Sequence, residues 1–130
     1  MYVVSLYAGI FGLLFVALSA RTVLLRRQFG VTIGNEDKPL LARASRVHAN
    51  FAEYVPLSLL LIYLLETQTS SNLWIHLPCS ALLIGRIIHA FGVSQVREKL
   101  KYRVVGMSLT FAVIISTSIR LMFGYIQSVV

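Results

Sequence analysis

The sequence predicts an all-α integral membrane protein, a bundle of four transmembrane helices forming a single domain over residues 1–130. Three observations predict it. The chain is 57% hydrophobic and 13% charged with a mean hydropathy of +0.77, more apolar surface than a soluble domain of this length can bury. Four apolar stretches each reach the roughly 20 residues a helix needs to cross the hydrocarbon core, where a lone segment must satisfy every backbone N–H and C=O within itself. Basic residues crowd the first and third connections between these stretches, and the second connection has none.

The first span is predicted from Val3 to Leu25. Ala17-Leu18-Ser19-Ala20 loosely imitates a signal-peptidase site, but no cation precedes the apolar run and Arg21, Arg26 and Arg27 follow it, the arrangement of a retained helix. The first connection carries Arg26, Arg27, Lys38, Arg43 and Arg46 around the turn-rich Gly34-Asn35-Glu36-Asp37. The second span is predicted from Val47 to Leu65, and a polar connection from Glu66 to Asn72 follows with Glu66 as its only charge. A third span covers Leu73 to Phe91. After Arg97, Lys99, Lys101 and Arg103, the fourth covers Val104 to Ile126. Pro56 and Pro78 fall inside spans, which membrane helices tolerate when neighbours satisfy the freed carbonyls. Ala, Gly and Ser recur within the spans, as close helix contacts require.

Counting Lys and Arg puts connections one and three in the cytoplasm and the middle connection and both termini outside, most simply in a bacterial inner membrane. The formal net charge of +7 therefore faces anionic headgroups, and no soluble basic domain remains to bind nucleic acid. Cys79 is the only cysteine, which excludes an intrachain disulfide and a multi-cysteine metal site; packing inside a helix is its expected role. Three scattered histidines make a poor metal site as well.

Chemistry is expected where polar groups enter the spans, because each costs several kcal/mol in hydrocarbon if unpaired. Arg46, Asn50 and Glu53, spaced i, i+4 and i+7, share one stripe at the start of the second helix. Arg86 and His89, spaced i, i+3, lie near the end of the third, and Arg103 opens the fourth. The predicted topology brings all of them to one membrane face, a polar cavity suited to a small zwitterionic or anionic molecule, with the surrounding lipid able to supply an apolar second substrate.

The stretch Arg46-Val47-His48-Ala49-Asn50-Phe51-Ala52-Glu53-Tyr54-Val55-Pro56, then Gly85-Arg86-Ile87-Ile88-His89, then Arg103-Val104-Val105-Gly106-Met107, resembles the MAPEG family, membrane-associated proteins in eicosanoid and glutathione metabolism, and among them the small bacterial members. The resemblance implies a homotrimer of four-helix subunits that binds glutathione between subunits near the cytoplasmic face. It implies that Arg46, Asn50 and Glu53 hold glutathione, with Glu53 meeting the α-amino group and the arginines the carboxylates, and that Arg86, His89 and Tyr54 belong to the same pocket. Arg103 matches the arginine that holds the glutathione sulfur as thiolate. Val93, Ala49 and Ser108 stand where some members carry a tyrosine, an arginine and a tyrosine, which points away from an eicosanoid-specific synthase and toward a general glutathione transferase or peroxidase.

Plainer readings stand beside these. Arg46 and Arg103 can be snorkelling anchors, Glu53 a structural ion pair, Asn50 an interhelical hydrogen bond, and His48, His76 and His89 donors to backbone carbonyls. Arg120, about 25 Å from Arg103 along the fourth helix, reads as an anchor at the opposite face, where His76 and Trp74 are interfacial. A non-catalytic lipid-binding or scaffold protein of the same fold is the alternative function. A small multidrug exporter would carry a glutamate in the first span, which contains no acid.

Overall fold

A computed structural model describes residues 2–35, 37–68, 72–97 and 99–129, with only the backbone of residue 72. Four helices occupy nearly all of it: α1 (Val3–Phe29), α2 (Pro39–Thr67), α3 (Asn72–Ser94) and α4 (Leu100–Val129). Each is long and apolar enough to cross a membrane. The helices run through both internal prolines and through the signal-like Ala17–Ala20 segment without interruption.

The helix ends follow local chemistry. Gly30 closes α1 in the left-handed region at φ 68°, so that its N–H reaches the Arg27 carbonyl and the Val31 N–H that of Arg26. Pro39, whose ring presets φ and whose missing N–H is one of the helix-start orphans, occupies the first turn of α2. As a result α2 begins eight residues before the predicted start at Val47, and Arg43 and Arg46 belong to its opening turns instead of to the connection. Glu66 also departs from expectation. It lies in the last turn of α2 with its side chain buried, and its carboxylate accepts the N–H groups of Val3 and Val4. The α1 start has no cap from its own flanking residue, so an acid on another helix fills that role.

Helices α3 and α4 pack most extensively, α2 touches the other three, and α1 meets α2 and α3 but not α4 among the described residues. Glycines explain the α3–α4 approach. A Cβ on Gly106 would lie 2.7 Å from the Gly85 carbonyl oxygen and from the His89 Cβ, and one on Gly92 would lie 2.6 Å from the Tyr102 Cβ. The core runs along the bundle through Phe11, Phe51, Val55, Ile62, Ile75, Leu82 and Val113, with Cys79 buried in it as the sequence suggests. Phe11, Phe51, Phe15 and His48 pack in succession between α1 and α2, the last two contacts stacked and the first tilted, and Ser19 also meets His48 there at 2.9 Å. At the end away from the basic connections, Arg120 sits 5.8 Å from the Trp74 ring and Tyr7 meets His76 at 3.2 Å, not a backbone carbonyl. Leu13, Val16, Leu57, Ile84, Ile115 and Phe123 point outward, apolar surfaces matched to lipid or to another subunit.

Candidate active site at the basic end of the bundle

Two layers of polar residues lie toward the end that carries the basic connections. The inner layer centres on Arg86, 1% exposed. Its Nη2 donates to the Asn50 Oδ1 and lies 3.0 Å from the His89 Nδ1, while Nη1 donates to the Thr110 hydroxyl at 3.4 Å and approaches the Met107 sulfur at 3.8 Å. Thr110 in turn donates to the Gly106 carbonyl at 2.9 Å, which fixes its lone pairs toward Arg86. Three helices thus converge on one guanidinium. The Arg86 Nε has no partner among the described residues, so the fork, not the whole group, is satisfied. The glycine crossing is what allows this, since a side chain at Gly106 would meet the Gly85 carbonyl and His89 and push α3 away.

The outer layer lies on the surface of the chain. Arg46 and Glu53 pair along α2 at 3.5 Å with their side chains 58% and 48% exposed. Beside them Pro39, Ala42, Arg43, Arg46, Val93 and Arg103 line a hollow of about 320 Å³. Its walls come from α2, the end of α3 and the start of α4. Arg43 helps tie these together, because its Nη1 donates to the Val93 carbonyl at 3.1 Å, one of the orphan acceptors at the end of α3. Three guanidiniums around one opening attract carboxylates and stabilise a thiolate over a thiol.

The predicted residues divide accordingly. Asn50, Arg86 and His89 come together in the interior; Arg46 and Arg103 come together around the hollow, with Glu53 joined to Arg46. Tyr54 is half-buried and packs on Phe111, ring centres 5.7 Å apart. Residues Asn50 and Glu53 point to different layers because three positions along a helix turn about 60° away from one another, enough to send one side chain inward and the other out. Sequence reasoning missed Arg43 and Thr110. Arg43 precedes Arg46 by one helical turn and was legible once Pro39 was taken as a helix start; Thr110 carries no signal of its own.

Comparison with known proteins bears on this geometry. A sequence model of the MAPEG family matches residues 4–123. The inner membrane protein YecN of Escherichia coli strain K12 is 31% identical over 111 residues, covering 85% of this chain and 83% of the relative, and YecN of E. coli O6:H1 matches to the same extent. No solved structure matches significantly.

Proposed function

Because the chain belongs to the MAPEG family, we propose that it is a glutathione-dependent transferase or peroxidase embedded in a bacterial inner membrane, acting as a homotrimer with its basic connections in the cytoplasm. The observation that carries the proposal is the hollow lined by Arg43, Arg46 and Arg103 beside the Arg46–Glu53 pair. Glutathione offers two carboxylates, an α-amino group and a thiol. The arginines suit the carboxylates, Glu53 the amine, and Arg103 the sulfur. A half-exposed ion pair on a membrane-spanning helix is costly against lipid, and a neighbouring subunit closing over it with the peptide between removes that cost. In this reading Asn50, Arg86, His89 and Tyr54, none of which lines the hollow, contribute to the same site from the helices behind and beside it.

In the chemical step the thiol gives its proton to water and Arg103 stabilises the sulfur anion. The thiolate then bonds to an electrophilic carbon and displaces its leaving group, or takes the terminal oxygen of a hydroperoxide with cleavage of the O–O bond. In the second case the alkoxide picks up a proton to leave as the alcohol, and a second glutathione converts the resulting sulfenic acid to the disulfide and water. Apolar acceptors reach the site from the bilayer.

Detergent-purified protein is expected to bind glutathione and release a proton near neutral pH. Arg103→Ala should remove the thiolate absorbance with less effect on binding. Absence of glutathione binding by the intact protein would reject the proposal. A non-catalytic lipid-binding role is favoured by one feature, an apolar groove of about 340 Å³ whose lining includes Leu77, Pro78, Ala81, Leu109 and Val113. Turnover of aryl halides or hydroperoxides that depends on Arg103 excludes that role.

A further inference from the structure

The turn between α3 and α4 makes a second basic site that shares no lining residue with the hollow at Arg46 and Arg103. Phe91, Gln95, Arg97, Lys99 and Tyr102 surround a pocket of about 180 Å³. Its floor is aromatic: the Phe91 and Tyr102 rings meet edge to face at 5.6 Å and 84°, and Lys101 places its ammonium 5.4 Å from the Tyr102 ring centre. The floor is fixed by close packing, because Tyr102 lies on Gly92 where no side chain fits, and by the turn hydrogen bonds Gln95 N–H to Gly92 and Tyr102 N–H to Lys99. None of Arg97, Lys99 and Lys101 has a carboxylate partner among the described residues.

Interleaved with these cations are exposed apolar side chains, Phe91 at 56%, Val96 at 53% and Leu100 at 63%. Such alternation fits one environment. At the end of two spans, apolar groups sink into the acyl boundary while the cations remain at headgroup level. We infer that this turn holds the phosphate headgroup of an anionic phospholipid, with Arg97 and Lys99 at the phosphate, Lys101 adding positive charge beside the Tyr102 ring, and the first carbons of its chains along Phe91 and Tyr102. A soluble anion would satisfy the cations but leave the exposed apolar residues unmatched, which is why a lipid is the occupant.

The test is native mass spectrometry of the intact protein in detergent with phosphatidylglycerol, phosphatidylcholine of identical chains, and sn-glycerol 3-phosphate as probes. Phosphatidylglycerol should bind in preference to phosphatidylcholine. Each headgroup-level cation is worth about fivefold in affinity, so Arg97→Gln/Lys99→Gln should weaken phosphatidylglycerol roughly 25-fold. Arg27→Gln/Lys38→Gln, which removes equal charge from the other basic connection, should change it less than about threefold. The charge-keeping Arg97→Lys should also stay within about threefold. Equal affinity for the two lipids, equal losses in the two double variants, or displacement of the lipid by glycerol phosphate at comparable concentration overturns the assignment.

Discussion

Arg86 is a cation held by neutral partners on its own helix and on two others, and its removal takes a donor away from each. Asn50 and His89 both lose the donor that faces them, inside a bundle where water is scarce. Arg86→Ala should therefore destabilise the protein by about 3 kcal/mol, read as a lower midpoint of chemical unfolding in detergent. Arg86→Lys should recover only part of that, because a point charge cannot serve Asn50 and Thr110 through two separate nitrogens. At this scale the sequence showed which residues are too costly to face lipid, since Asn, Arg and His in apolar runs announce themselves. It did not show who meets whom. From sequence alone Glu53 can pair with either Arg46 or Arg86, and the rotation of α2 that brings it to Arg46 is decided by packing of Phe51 and Val55 into the core, not by the polar residues.

Among the helices, the crossing of α3 and α4 is set by the absence of side chains. Gly106→Ala puts a methyl group 2.7 Å from backbone and from His89, so the helices must separate. Gly12→Ala, with nothing within 4 Å of the added carbon, relieves only the intrinsic cost of glycine in a helix. Thermal unfolding should thus fall clearly for Gly106→Ala, by several degrees, and stay level or rise slightly for Gly12→Ala. The four spans were legible because hydropathy over some 20 residues is a strong signal. Their ends were less so. The opening turns of α2, Pro39 to Arg46, are amphipathic and basic, and hydropathy stops where the polar face begins. Glu66 likewise read as a loop charge because its partners, two backbone N–H groups on α1, are 62 and 63 residues away in sequence.

For the molecule as a whole, Glu66 makes α1 a clamped element. Few α1 side chains are buried, chiefly Val3, Val4, Phe11 and Thr22, so its start depends on the carboxylate reaching across from α2. Glu66→Ala should leave the bundle folded while amide exchange at Val3 and Val4 rises about tenfold or more, the loss of a charge-assisted cap of about 1.5 kcal/mol or greater. Arg86 has an implication of another kind, for how the chain comes to occupy a bilayer at all. It lies about 12 Å inside the end of α3 at 1.5 Å per residue, and a guanidinium at such depth adds about 3 kcal/mol to the insertion of a solitary helix. The amide and hydroxyl that offset this belong to the helices synthesised before and after it. Helix α3 is thus best delivered to the membrane in company, leaving the insertion machinery beside α2 and waiting there for α4, so that the order of synthesis and the order of charge compensation are the same.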